Sequence, residues 1–177
     1  LVFGYFFFWT VRSDFPPKPA LGPGVFWPAL AAALLLGAWL LTLLARRWNR
    51  HDSAVGFYAG VLLAGGLAIA GAAALIAGPW FTGLDPTTHV YPATVWILVI
   101  WTAIQVLVGV IMHLYCLARR IAGRMTARYD SDIGNVALYW HFTALTAAIT
   151  VAGIAGFPLV TEGNFGFWIF DFSLGWD

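Results

Sequence analysis

Long apolar runs separated by short polar punctuation set the pattern of the chain. The first run, "LVFGYFFFWTV", covers about residues 1–11, and four more follow at about 24–45, 55–80, 90–118 and 135–160. At about 1.5 Å per residue, each of the last four exceeds the roughly 30 Å of hydrocarbon in a bilayer. The pattern predicts an all-α fold, a polytopic transmembrane bundle of five helices with the first one truncated. The chain begins with Leu inside an apolar run, and no basic stretch precedes it as a secretory signal would require, so this run reads as the outer end of an incomplete helix. Between the runs, "RSDFPPKPALGPG" and "GPWFTGLDPTTHVYP" carry the Pro and Gly that break helices, and both are expected at one membrane face. The closing segment, residues 161–177, is too short to cross a membrane. Its Phe and Trp side chains suit a headgroup interface, and no role follows from its sequence.

Within the runs, small and polar residues recur at helical spacing. Gly56, Gly60, Ala64, Ala68 and Ala72 form a stripe that lets a neighbouring backbone come close. Thr102, Gln105, Gly109 and His113 form another, and Tyr139, Thr143, Thr146, Thr150 and Gly153 a third. Polar side chains cost less against protein than against lipid, so these faces should point into the bundle. Gln105 is the one strongly polar group near the centre of a run, and an interhelical hydrogen bond is its simplest use.

Composition narrows the class. Hydrophobic residues make up 61% of the 177 and charged residues 10%, too few for the surface of a soluble domain of this size. Nine Lys+Arg against eight Asp+Glu leave no basic face for nucleic acid. Seven of the nine basic residues, Arg46, Arg47, Arg50, Arg119, Arg120, Arg124 and Arg128, gather in the two connections at one side. The positive-inside rule makes that side cytoplasmic, with Arg12 and Lys18 on the other side and the C-terminus on the outer face. Arg120, Arg124 and Arg128 would share a helix face if the helix continued past the membrane, suited to lipid phosphates or to acidic groups of a partner; topology alone would also place Arg there. Cys116, the single cysteine, reads as a small buried hydrophobe, and no disulfide or thiolate metal site can be built from this chain alone.

Chemistry rests on four histidines. His51 reads as a solvated residue of a basic loop. His89 lies about 36 Å along its helix from His113, too far to share a metal. His113 and His141 fall at similar depth if the last two helices form an antiparallel hairpin, and two such imidazoles could ligate a b-type haem in a small quinol-linked electron carrier. The other reading of "NVALYWHF" is that Tyr139, Trp140 and His141 anchor the helix at the interface, bonding headgroups, water or a neighbouring subunit. A solute permease is a third reading, without the inverted repeat or broken midplane helix such folds use. Every carboxylate, Asp14, Asp52, Asp85, Asp130, Asp132, Glu162, Asp171 and Asp177, falls in a connection or the tail, so no ion relay is visible inside the runs.

The order "FGYFFFWTV", "PP", "HVYPATVW", "GVIMHLYCLARRIAGRMT", "DIGNVALYWHF" and "FPLV" resembles subunit III of haem-copper cytochrome c oxidases, especially the bacterial form fused behind the catalytic subunit. The resemblance spans about residues 1–160 and is most specific from 89 to 142, with Phe7, Phe8, Trp9, His89, Tyr139, Trp140, His141 and Phe142 matching the family pattern. It implies the third to seventh of seven helices, with the family's membrane glutamate falling at or just before Leu1. It also implies an accessory subunit with no haem, copper or catalytic centre of its own, in the bacterial inner (plasma) membrane. Haem and copper would belong to the catalytic partner. The implied partners are subunits I and II, phospholipids and a larger respiratory supercomplex, in aerobic electron transport coupled to proton pumping. His89, Arg119, Arg120, Arg124, Arg128, Asn135, Tyr139, Trp140 and His141 are the resulting candidates for lipid and subunit contact.

Overall fold

The computed structural model describes residues 1–11 and 23–156. The expectations for the Pro-rich connection with Arg12, Asp14 and Lys18, for 157–160 with "FPLV", and for the tail 161–177 with Glu162, Asp171 and Asp177 lie outside the described residues. Five α-helices follow in order: α1 (Val2–Val11), α2 (Phe26–Arg50), α3 (Ala54–Phe81), α4 (Val90–Ile121) and α5 (Ser131–Val151), the last extended by a π-helical turn, Ala152–Gly156. Among the described residues there is no strand. α2, α3, α4, and α5 with its π turn run for 25, 28, 32 and 26 residues and are long and apolar enough to cross a membrane. α1, with 10 residues, reaches about half as far as a crossing requires.

The helices start and stop for local reasons. At the start of α3 the Ser53 hydroxyl accepts from the Gly56 N–H at 3.3 Å, and at the start of α4 the His89 Nδ1 accepts from the Tyr91 N–H at 3.1 Å. Each satisfies one of the donors that a first helical turn leaves open. α4 ends because Gly123 takes a left-handed φ of +68°, which lets the Gly123 N–H bond to the Arg120 carbonyl and the Arg124 N–H to the Arg119 carbonyl. This corrects the expected continuation: Arg124 and Arg128 lie past the end of α4, so no helical arginine face runs from 120 to 128. α2 uses the same closure without glycine, Asp52 standing at φ +56°. α2 also continues beyond the expected boundary, carrying Arg46, Arg47 and Arg50 on its last turns, and α5 begins at Ser131 rather than near Asn135.

α2 packs against α3 and α5, and α4 packs against the same two helices, so the four long helices close a ring in which every neighbour is antiparallel. α1 lies outside the ring on α4, where the buried ring of Tyr5 stands 6.3 Å from that of Tyr91. Lipid tails are as apolar as leucine, so helices associate here through close packing and hydrogen bonds more than through exclusion of water. The small residues of α3 supply that closeness. A Cβ on Gly60 would meet the Trp48 ring at 2.9 Å and the Ala45 side chain at 3.0 Å, and one on Gly71 would meet Leu35 at 2.8 Å. Gly60, Ala64, Ala68 and Gly71 are buried, whereas Ala72, the last member of the expected stripe, is half-buried. Steps of four residues overshoot a 3.6-residue turn by about 40° each, so the contact line passes from Ala68 to Gly71 instead of Ala72. Leu62, Leu63, Ile69, Leu107, Ile111 and Leu145 point outward and are exposed on the isolated chain.

The tightness of the α2–α3 contact is directly testable. Gly71→Ala should cost about 1–3 kcal/mol of stability by forcing Leu35 aside. Gly65→Ala and Gly66→Ala, whose added Cβ meets nothing within 4 Å, should stay within about 0.5 kcal/mol of the parent. Reversible unfolding in mixed detergent, followed by circular dichroism, measures all three; equal stability for Gly71→Ala and Gly65→Ala would remove close backbone packing as the source of the contact.

Candidate functional site

Two groups of polar residues stand out, a seam through the bundle interior and a cluster at its arginine-rich end. The seam begins where α2, α4 and α5 meet. The Thr42 hydroxyl donates back to the Ala38 carbonyl at 2.8 Å, and its oxygen lies 2.9 Å from His113 Nε2. With its single proton committed to the carbonyl, Thr42 is the acceptor, and His113 carries its hydrogen on Nε2. The His113 ring stacks on Trp140 with centroids 5.3 Å apart and planes 12° from parallel. Trp140 in turn lies flat against Gly109, where a Cβ would come within 3.0 Å of the indole. Among the described residues His113 Nδ1 and Trp140 Nε1 have no hydrogen-bond partner, and stacked rings cannot bond edge to edge.

Further along the seam the Tyr139 hydroxyl donates to the Gln105 main-chain carbonyl at 2.8 Å, and the Thr146 hydroxyl lies 2.9 Å from Gln105 Oε1. Beyond it, Thr102 donates to the Leu98 carbonyl at 2.9 Å and meets the Thr150 hydroxyl at 3.2 Å. The expected stripes on the last two helices therefore face each other, and Gln105 has the interhelical role read from its position. Hydroxyls, an amide and an imidazole tie helices together.

At the other group, Arg120 knits two connections. Its guanidinium donates to Asn49 Oδ1 at 3.0 Å, to Asp52 Oδ1 at 2.9 Å and to the Met125 carbonyl at 3.3 Å, while its Cζ lies 5.9 Å from the Phe57 ring centroid. Asn49, fully buried, passes the link on by donating to the Thr126 carbonyl at 3.2 Å. Arg50 and Arg46 reach Asp130 at 2.6 and 3.5 Å, and Arg119 pairs with Asp132 at 2.9 Å. The hydrogen bond from Arg50 holds the Asp130 carboxyl below the usual carboxylate range; burial opposes it, and the charges of Arg50 and Arg46 add to the lowering. Among the described residues, the carboxylates of this end, Asp52, Asp130 and Asp132, are thus taken up by arginines. Arg47, Arg124 and Arg128 are exposed and have no partner among the described residues.

The candidate residues end up in different places. His89 caps α4 at the end opposite the arginines. Arg119 and Arg120 join the ion-pair cluster, and Asn135 is exposed on the second turn of α5. Tyr139 and Trp140 belong to the interior; Trp140 is fully buried and does not reach the lipid surface expected of an interface anchor. His141, one residue on, is exposed on the α2–α5 seam, where its Nδ1 accepts from Trp39 Nε1 at 2.9 Å and the two rings meet edge to face at 5.4 Å. The two imidazoles weighed as haem ligands are therefore not brought to one gap, since His113 faces inward onto Trp140 and His141 faces outward beside Trp39. Among the described residues, no three His, Cys, Asp or Glu side chains stand together as a metal site. Trp39, Thr42 and Asn49, all on α2, are the participants that sequence reasoning passed over. Thr42 carried a signal, being the only hydroxyl in the run 24–45.

Two grooves open on the bundle surface. One, of about 700 Å³, lies between α1, α4 and α5, bounded by Phe3, Trp101, Gln105, Phe142 and Thr146. The other, of about 750 Å³, lies where α3 turns into α4, between Trp80, Asp85, Trp96 and Ile100. The fold and these sites define a multi-pass helical membrane protein with a polar interior seam and an arginine-rich end. A scan against protein-family models gives no match, and a search of curated proteins gives none either.

The arginine-rich end sets a pH dependence. Asp130 binds its proton less readily folded than unfolded, so its contribution to stability is complete above the ordinary carboxylate pKa, about 3.9, and is lost as pH falls through the lowered folded value. Asp130→Asn should destabilise the protein at pH 7 by about 1 kcal/mol or less, as suits a partly solvated pair. The gap from the parent should narrow as pH is lowered below the ordinary carboxylate pKa, read as converging thermal midpoints in detergent. A gap independent of pH would mean that the side chain acts by shape alone.

Proposed function

We propose that the chain is a non-metal accessory membrane subunit of a haem-copper terminal oxidase, bracing the catalytic subunit and holding lipids around it, in the bacterial inner membrane. The observation that carries this reading is the ordered series of motifs from "HVYPATVW" through "LYCLARRIAGRMT" to "NVALYWHF", which resembles subunit III of that family. The geometry of these motifs suits a scaffold. His89 caps a helix, Arg119 and Arg120 stitch helix ends through Asp132 and Asp52, and Tyr139 and Trp140 lock α5 onto α4. Each residue is engaged in holding helices, which is what a rigid brace for a redox partner requires. In this role electrons and protons move through subunits I and II, and the bundle keeps their surroundings ordered. The exposed Arg47, Arg124 and Arg128 supply positive charge for phospholipid headgroups at the arginine-rich face.

Affinity purification of the tagged full-length protein from its native membrane tests the proposal. The expected preparation contains a haem-copper catalytic subunit in near-equal amount, and the separated chain is colourless. A preparation without haem-copper protein would overturn the proposal. A Soret band in the separated chain, lost with His141→Ala, would replace it with the b-haem electron carrier.

A further inference from the structure

The bond between Trp39 and His141 lies in an unusual place. His141 is ten residues into α5 and Trp39 eleven residues from the end of α2, so both stand about 15 Å along the helix axis from the arginine-rich end. The 25-residue helix α2 is about 38 Å long. Centred on about 30 Å of hydrocarbon, it places the pair about 10 Å inside the apolar layer. The seam faces outward at this depth, with His141 exposed and Leu36, Leu40, Leu138 and Leu145 exposed on the same two helices.

Hydrogen bonding fixes what this surface offers. An indole N–H only donates, so His141 Nδ1 must be unprotonated and the imidazole neutral with its hydrogen on Nε2. Trp39 thereby holds the ring with a donor that meets no acceptor among the described residues. In hydrocarbon such a donor has no water to bond, and leaving it unmet carries the cost of a desolvated polar group. Ester carbonyls and headgroups of phospholipids lie at the edges of the apolar layer, about 10 Å from this depth. A second copy of the chain is a poor answer, because two-fold pairing through this face sets donor and leucine against donor and leucine.

We infer that the α2–α5 face is a docking surface for one transmembrane helix of a different chain, an apolar helix carrying a side-chain acceptor (carboxylate, hydroxyl or amide carbonyl) that takes the His141 Nε2–H. Complementarity of donor to acceptor at hydrocarbon depth selects this occupant. The inference deepens the accessory-subunit reading by naming the face used, and it rests on that reading only for the identity of the neighbouring chain.

The test places a photoreactive residue at Leu138 in the full-length protein in native membranes and maps the crosslinked peptide, with the same probe at Leu63 on α3 as a reference for an unrelated face. His141→Phe removes the donor and keeps a ring, while His141→Gln keeps an N–H donor. The expected result is a crosslink to a polypeptide helix bearing an acceptor, lost by about three- to twentyfold in His141→Phe and largely retained in His141→Gln, with the Leu63 product unchanged. Lipid adducts alone, a crosslink to a second copy, or equal yields from both His141 variants and the parent would overturn it. A mapped helix in membranes whose purified complex holds no haem-copper protein would leave the docking face standing and overturn the oxidase assignment instead.

Discussion

Inside a bilayer a polar side chain has only protein to bond, and this constraint organises the molecule. Thr42 spends its proton on its own helix and its lone pair on His113; Thr102 does the same with Leu98 and Thr150. Gln105 receives Tyr139 on its main chain and Thr146 on its side chain. Each arrangement consumes polar capacity that lipid would leave empty, and each does so between two helices, so satisfying the groups and assembling the bundle are one event. Net gains per bond in membranes average only about 0.6 kcal/mol, so the seam gives register and orientation more than brute stability. Close contact supplies the rest, from Gly60 and Gly71 under α2 to Gly109 under Trp140.

The same constraint divides His113 from His141. His113 donates through Nε2 and His141 accepts through Nδ1, and one is closed inside between Thr42 and Trp140 while the other is oriented by Trp39 on an outer face. Tyr139, Trp140 and His141 follow one another in the chain, and each turn of about 100° sends them to different tasks: a bond across to α4, a buried plate against Gly109, and a donor on the surface. A compact motif in the sequence is thus three separate contacts in space.

Charge is arranged by a second rule. At the arginine-rich end the pairs are short-range and partly solvated, and such pairs are individually weak. Arg120 is the exception in form, since its guanidinium is largely covered and reaches a carboxylate, a buried amide and a carbonyl at once. It joins the α2–α3 turn to the stretch after α4 and so ties three helix ends together. Asp52, in a left-handed conformation uncommon for a residue with a side chain, is held where its carboxylate can take that guanidinium.

Much of the architecture was legible in the sequence, because it depends on one-dimensional quantities. Run length fixes crossing, Pro and Gly fix breaks, and residues three and four apart share a helix face, so the long helices, the interior stripes and the bond at Gln105 could be read from spacing alone. Helix boundaries moved where closure depended on backbone conformation, as at Gly123, which cut the supposed face of Arg120, Arg124 and Arg128 after its first member. What the tertiary structure decided was the rotation of each helix about its axis and the choice of neighbour. That α2 lies beside α5, far away in the chain, is what brings Thr42 to His113 and Trp39 to His141. No local pattern encodes such a pairing, since it follows from which set of four faces packs most closely around the ring, a property of the assembled bundle.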